Sequence, residues 1–200
     1  MFTRWLFIWA TGRSGSTTIL EMLNSVPCVG LSGENGDFMK KLMSLDKTTR
    51  FINGKKGAWF NKVDLDKLMV IEQNWISSLN SANTIISGFK EIRIESIPYI
   101  THLFPDAFHI INYRRNHTLQ LASQFQTKNS DRGLFRKEEI IRKYLKNQTN
   151  VLELPLEDFT VQKFNEVLSW IGITKYVFTT VLHSNNGGYD SDKNHTCSSQ

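Results

Sequence analysis

The part of the chain that most constrains its fold is residues 5–23, where an apolar run leads through a small-residue turn into a helical pattern. Residues 5–10 are apolar, residues 11–18 contain only glycine, serine, threonine and one arginine, and apolar residues recur at helical spacing over 19–23. This order predicts a buried strand, a tight loop and the N-terminus of a helix. Such a helix start directs backbone N–H groups and partial positive charge at the loop, which suits a phosphate-type anion.

The loop differs from the Walker loop of nucleotide-hydrolysing proteins, whose pattern is Gly-x4-Gly-Lys-Ser/Thr. When the two are aligned on Gly15, Ala10 stands at the first glycine and Ser16 at the lysine. The cation is instead Arg13, whose guanidinium suits tetrahedral oxyanions. Hydroxyl donors come from Ser14, Ser16, Thr17 and Thr18. The sequence therefore predicts an anion cradle without the lysine of ATP hydrolysis, and the alternative is an ordinary turn that caps a helix.

Strand-like and helix-like segments alternate along the rest of the chain. Predicted strands cover 4–10, 28–31, 84–89, 108–113 and 151–154, and predicted helices cover 16–25, 38–45, 64–79, 96–103, 117–127, 137–146 and 161–171. The alternation predicts an α/β fold of three layers, α/β/α, with a central, mainly parallel sheet of the P-loop NTPase type. We expect a single domain over residues 1–183, an excursion from the core at 47–62, and a flexible or lid-forming tail at 184–200.

Composition narrows the classes of function. No apolar run approaches the ~18 to 20 residues that a membrane-spanning helix requires. The formal net charge is only +5, and there is no long basic stripe of the kind that binds nucleic acid. The two cysteines, Cys28 and Cys197, form neither a disulfide framework nor a metal-ligand pattern. We therefore expect a cytoplasmic protein with reduced cysteines, no signal peptide, no membrane span and no nucleic-acid partner.

A second candidate site follows the predicted strand 108–113. Arg114 and Arg115 come at the end of that strand, and Ser123 lies eight residues after Arg115, about two turns along the next helix. Because this segment and the loop at 11–18 both follow parallel strands, we expect them to face one crevice at the carboxyl edge of the sheet. There a guanidinium and a serine can bind one phosphate together. Taken alone, the same pair is also common on solvated surfaces.

Together the two segments resemble the sulfotransferase superfamily, whose members use 3′-phosphoadenosine 5′-phosphosulfate (PAPS). The run Gly12-Arg13-Ser14-Gly15-Ser16-Thr17-Thr18 is similar to the family motif that binds the 5′-phosphosulfate. Arg115 and Ser123 reproduce the spacing of the family's 3′-phosphate motif. Residues 33–35, 88–93 and 154–159 resemble supporting segments, and the resemblance covers about residues 4–172.

The resemblance implies transfer of a sulfuryl group from PAPS to a hydroxyl or amine, with adenosine 3′,5′-bisphosphate (PAP) as product and no metal. It implies that residues 12–18 hold the 5′-phosphosulfate and that Arg115 and Ser123 hold the 3′-phosphate. Three features depart from the family's cytosolic members. The chain has no Arg-Lys-Gly segment, and it is short for a chain that forms an acceptor pocket. His102 and His109 fall inside a predicted helix and a predicted strand, so we expect both to be structural and neither to be the histidine base.

Sulfuryl transfer sets two requirements on the catalytic residues. Negative charge grows on the bridging oxygen of the leaving phosphate, and Arg13 is the candidate that stabilises it. The acceptor must lose a proton, and Glu34 is the first candidate base, since resembling members place a glutamate after the second strand. Glu91 is the second candidate base, and Lys90 is a candidate to neutralise sulfate oxygens. The alternatives are that Glu34 is a solvated loop residue and that Lys90 and Glu91 are ordinary surface residues.

Two other functions stay open on the sequence alone. One is a nucleotide or small-molecule kinase with an atypical phosphate loop, which requires Mg²⁺ and normally the lysine that this loop lacks. The other is a catalytically silent nucleotide-binding module. The acceptor of a sulfotransferase reaction stays equally open among small molecules, carbohydrates and peptides.

Overall fold

The computed structural model describes residues 3–36, 38–55, 62–80, 84–123 and 131–182. The strands are β1 (Arg4–Ala10), β2 (Val29–Ser32), β3 (Ile86–Glu91), β4 (Phe108–Asn112) and β5 (Val151–Glu153). The helices are α1 (Ser16–Asn24), α2 (Phe38–Asn53), α3 (Leu65–Ser77), α4 (Ile97–Leu103), α5 (His117–Ala122), α6 (Asp131–Leu145) and α7 (Val161–Trp170). Short 3₁₀ helices occupy Ile94–Ser96 and Leu156–Asp158. The predicted tail at 184–200 lies outside the described residues.

The strands form one sheet in the order β2-β3-β1-β4-β5, and each neighbouring pair is parallel. This confirms the predicted α/β class with a central parallel sheet. In the register, Trp9 of β1 lies opposite Glu91 of β3, and Ala10 lies opposite Asn112 of β4. Because the strands are parallel, their carboxyl ends meet at one edge of the sheet. Each predicted site segment begins where a strand ends at that edge.

The central strand β1 is apolar on both faces because helices cover both sides of the sheet. Leu6 and Ile8 pack into a cluster with residues of α1 and α7. Phe7 and Trp9 point the other way and pack with residues of α2, α3, α4 and α6. All four side chains are fully buried, so the strand that leads into the loop at 11–15 is firmly anchored in the core.

Several helix boundaries differ from the prediction. Helix α2 continues to Asn53, so residues 47–53 belong to the helix instead of an excursion, and the Arg50 guanidinium pairs with Asp46 at 2.7 Å one turn away. Helix α6 begins at Asp131, six residues early, because its buried stripe already starts at Leu134. The rest of the expected excursion, 56–61, and the predicted end of the helix at 124–127 lie outside the described residues.

Two further observations concern the length of the helices and the cysteines. In the described part of the chain, no helix combines the length and the apolar character that crossing a membrane demands. Cys28 follows α1 with a φ of 67°. The other cysteine, Cys197, lies outside the described residues, so the expected state of the cysteines and the expected compartment stay predictions.

Candidate functional site

The loop between β1 and α1 turns through three residues in the left-handed region. Gly12, Arg13 and Gly15 have φ values of 84°, 52° and 77°. Glycine adopts this conformation freely, whereas a residue with a side chain does so at a cost of roughly 1–2 kcal/mol. The N–H of Thr11 donates to the carbonyl of Asn112 at 3.2 Å, which keeps the start of the loop beside β4. A strained turn of this kind at the end of a strand is typical of loops that wrap an anion.

Helix α1 begins directly after this turn and has the features of an anion-binding end. Its N-cap residue is Gly15, which makes no side-chain cap hydrogen bond, and the first turn contains no acidic residue. A Cβ on Gly15 would lie 2.5 Å from Leu156 Cδ1 and 2.8 Å from Phe159 Cε2, so a larger residue here would force these two side chains to shift. A Cβ on Gly12 would meet nothing within 4 Å. The loop is therefore packed beneath Gly15 and open at Gly12.

The hydroxyl of Ser14 holds the shape of the loop. Ser14 Oγ donates to Asn112 Oδ1 at 2.6 Å, and Asn112 Nδ2 donates to the carbonyls of Ser14 at 3.0 Å and Leu154 at 2.9 Å. Ser14 and Asn112 are fully buried. The Ser14 side chain thus ties the loop to β4, and its predicted contact with a ligand stays a prediction. The other predicted hydroxyl donors, Ser16, Thr17 and Thr18, lie in the first turn of α1.

A second brace of the loop comes from α5. Gln120 Nε2 donates to Thr11 Oγ1 at 2.9 Å and to the carbonyl of Gly12 at 2.5 Å, and its side chain is fully buried. Sequence analysis missed both Gln120 and Asn112. A sequence signal for both was a polar residue next to apolar ones. Asn112 ends an apolar strand, and Gln120 is buried in a helix in which Leu119 is half exposed.

A carboxylate and an ammonium meet where β2 and β3 end. Lys90 Nζ lies 2.5 Å from Glu34 Oε1, with side chains 6% and 37% exposed respectively. Because β2 and β3 are neighbours in the sheet, residues that follow one strand contact residues at the end of the other. The sequence proposed both residues as catalytic, and the structure brings them into direct contact at the carboxyl edge.

Glu91 has different surroundings from Glu34. It is 1% exposed, and its Oε1 accepts from the N–H groups of Ile92 at 2.9 Å and Arg93 at 3.1 Å. The Arg93 guanidinium lies 3.6 Å from the same oxygen. The Glu91 carboxylate is therefore bound to the turn that follows β3, and Glu34 is the more accessible of the two candidate bases.

Arg115 lies in an acidic setting after β4. Its guanidinium donates to both carboxylate oxygens of Asp158, at 2.6 and 2.8 Å. Glu157 accepts from the N–H groups of Arg115 at 3.0 Å and Asn116 at 3.1 Å. Burial raises the pKa of the Glu157 carboxyl, but the backbone N–H donors lower it by more, so its pKa lies below the usual value. A phosphate at Arg115 therefore has to replace or share the pair with Asp158.

The two predicted binding segments lie at the same end of the sheet. The 3₁₀ helix Leu156–Asp158 packs against Gly15 through Leu156 and pairs with Arg115 through Asp158. Ser123 caps the end of α5, and its Oγ donates to the carbonyl of Gln120 at 2.7 Å. Since Gln120 in turn contacts the loop, Arg115, Ser123 and the loop belong to one connected unit.

The histidine of β4, His109, lies inside the core. Trp9 Nε1 donates to His109 Nδ1 at 3.1 Å inside the core, and burial lowers the pKa of His109 to about 4. This histidine is therefore neutral and structural, as expected. Among the residues that the structure describes, no three histidine, cysteine or acidic side chains are grouped to hold a metal ion.

No family model and no curated protein matches this chain. Among solved structures, it is similar to the unliganded crystal structure of a sugar kinase from Janibacter sp. HTCC2649, with a TM-score of 0.51 and 12% sequence identity. The similarity covers 86% of this chain and 96% of the kinase chain. At this level of identity, the comparison shows a shared α/β fold.

Proposed function

We propose that this chain is a sulfotransferase that moves a sulfuryl group from PAPS to a hydroxyl or amine acceptor, in line and without a metal. The observation that carries the proposal is the loop at 11–15. It combines left-handed backbone, an uncapped helix start and an arginine, and Ser16 stands where a nucleotide-hydrolysing loop has lysine.

The donor would lie along the carboxyl edge between the two binding segments. Residues 12–18 would surround the 5′-phosphosulfate, with the Arg13 guanidinium beside the bridging oxygen. Arg115 and Ser123 would hold the 3′-phosphate. The phosphate would replace Asp158 as the partner of the Arg115 guanidinium. Support for one continuous donor site comes from the Leu156–Asp158 segment, which contacts both the loop and Arg115.

The transfer step needs a base and charge stabilisation close together. The acceptor oxygen or nitrogen attacks sulfur, the bond from sulfur to the bridging oxygen breaks, and the acceptor proton passes to Glu34. Arg13 stabilises the negative charge left on PAP, and Lys90 stabilises the negative charge on the sulfuryl oxygens during the transfer. The contact between Glu34 and Lys90 supports this arrangement, because it places a carboxylate and a cation at one point of the edge.

Replacing Arg115 by alanine should lower the affinity for PAP by about 10- to 100-fold, the range expected for losing charge-assisted hydrogen bonds of ~1.5–3 kcal/mol. Affinity for adenosine 5′-phosphate, which lacks the 3′-phosphate, should stay unchanged. Isothermal titration of both nucleotides measures the difference. Arg114→Ala is the matched control, since the Arg114 guanidinium bonds to the carbonyl of Leu119 at 3.3 Å. Equal losses for the two nucleotides would speak against a 3′-phosphate site.

Replacing Glu34 by glutamine should reduce turnover by about 100-fold or more, because the acceptor loses its base. PAP affinity should be retained. The assay follows labelled sulfuryl transfer to the acceptor that the wild type uses, found by screening small phenols, carbohydrates and peptides. Glu95→Gln, at an exposed glutamate of the 3₁₀ helix after β3, is the control. Full activity of Glu34→Gln would remove Glu34 as the base and leave Glu91 as the candidate.

A kinase is the second candidate, because a solved structure that is similar in fold over 86% of the chain is named a sugar kinase. A kinase would consume ATP in the presence of Mg²⁺ and would bind PAP no better than adenosine 5′-phosphate. Ser16 at the lysine position favours the sulfotransferase over this reading. A silent nucleotide-binding module would instead bind PAP and transfer nothing.

A further inference from the structure

We infer that Gln120 is a positioning residue that couples the 3′-phosphate end of the donor site to the phosphosulfate loop, an inference that rests on the proposed function. Gln120 is fully buried, and its amide nitrogen bridges Thr11 Oγ1 and the carbonyl of Gly12. The carbonyl of Gly12 can only accept a hydrogen bond, so the nitrogen of the Gln120 amide must face the loop.

The position of this bond matters because it falls where the backbone turns left-handed. Gly12 and Arg13 have φ values of 84° and 52°, and the carbonyl that Gln120 holds belongs to the peptide joining these two residues. Fixing the orientation of that peptide fixes the direction in which the Arg13 side chain projects from the loop. Gln120 therefore acts on the candidate catalytic arginine without contact to the donor.

The amide also carries a cost that a purely structural contact would avoid. Gln120 Oε1 is buried and has no hydrogen-bond partner among the residues of the described ranges. An unpaired buried oxygen is unfavourable, and an apolar side chain at the same place would fill the space without it. The amide is therefore explained by its hold on the loop.

Coupling follows from where Gln120 stands in the chain. It lies between Arg115 and Ser123, and Ser123 Oγ donates to the Gln120 carbonyl at 2.7 Å. A phosphate bound by Arg115 and Ser123 takes the single Ser123 hydroxyl proton from the Gln120 carbonyl and fixes the chain at both ends of α5, and α5 carries the amide that holds Gly12. Occupying the 3′-phosphate site should thus order the loop before any 5′-phosphate is present.

The test uses adenosine 3′-phosphate, which has no 5′-phosphate to touch the loop, and amide hydrogen exchange of residues 11–18. In the wild type, saturation with this nucleotide should slow exchange in 11–18 several-fold. In Gln120→Met, exchange without nucleotide should be about tenfold faster in this segment, and the nucleotide should no longer slow it. Gln73→Met is the matched control, since Gln73 Nε2 likewise donates to a backbone carbonyl, that of Leu103 at 2.6 Å, far from the loop.

The kinetic readout separates positioning from general stability. Gln120→Met should lower kcat more than it raises KM for PAPS, because Arg13 acts on the leaving oxygen in the transition state. The inference is overturned if adenosine 3′-phosphate binds to both proteins and slows loop exchange equally, or if Gln120→Met exchanges no faster in 11–18 than Gln73→Met does. Absence of nucleotide binding by the wild type would instead overturn the proposed function, and the coupling with it.

Discussion

Arg13→Ala is expected to reduce kcat for sulfuryl transfer by about 100- to 1,000-fold, the effect of removing one preorganised donor from a developing oxyanion. Arg13 is exposed, lies in a left-handed turn and belongs to the open part of the loop. Its removal relieves backbone strain only slightly, so the protein should remain folded. Steady-state kinetics with PAPS, together with thermal unfolding, measures both quantities.

Two comparisons make this result specific. Arg13→Lys keeps the positive charge but loses the planar guanidinium with its paired N–H donors, so its kcat should fall between those of the alanine variant and the wild type. Arg136→Ala, at an exposed arginine of α6, should leave kcat unchanged. If Arg13→Ala turns over at more than about a third of the wild-type rate, far above the loss expected for an oxyanion donor, then Arg13 does not stabilise the leaving oxygen.

Gly15→Ala is expected to destabilise the protein by about 2–4 kcal/mol, because it combines left-handed strain of ~1 kcal/mol with overpacking of ~1–3 kcal/mol. The added methyl would lie 2.5 Å from Leu156 and 2.8 Å from Phe159. Since Leu156 belongs to the segment that also holds Arg115, any relief of the clash moves the donor site, and PAP affinity should fall as well. Urea unfolding and isothermal titration measure the two effects.

Gly12→Ala is the matched control for that prediction. It has a similar φ of 84°, but its added methyl would meet nothing within 4 Å. It should therefore cost only the left-handed strain of about 1 kcal/mol. Equal free energies of unfolding for the two alanine variants would show that the packing of the loop against residues 156–159 contributes nothing.

Elements with a strong local pattern could be predicted from the sequence. The apolar run and the small-residue turn gave β1 at its observed bounds and α1 to within one residue at its end. Alternation of strands and helices predicted a parallel sheet, and every observed pairing is parallel. Helix α6 begins earlier than predicted because four consecutive charged residues, 136–139, interrupt the apolar pattern between its buried residues Leu134 and Ile141.

Contacts between distant elements could not be predicted in the same way. The pair of Glu34 and Lys90 depends on β2 lying beside β3, and nothing in the local pattern of either strand fixes that order. The bidentate pair of Arg115 and Asp158 joins residues 43 positions apart. Gln120 reaches a loop 108 residues earlier in the chain. Each contact is set by strand order and helix packing, which emerge only when the sheet is assembled.

The most direct test is an isothermal titration of the folded wild-type chain with PAP, run beside ATP with Mg²⁺ in the same buffer. We predict saturable binding of PAP at about one site per chain, tighter than binding of ATP, because only PAP presents a phosphate to Arg115 as well as to the loop. No binding of PAP, or tighter Mg²⁺-dependent binding of ATP, would contradict a PAPS-type donor site.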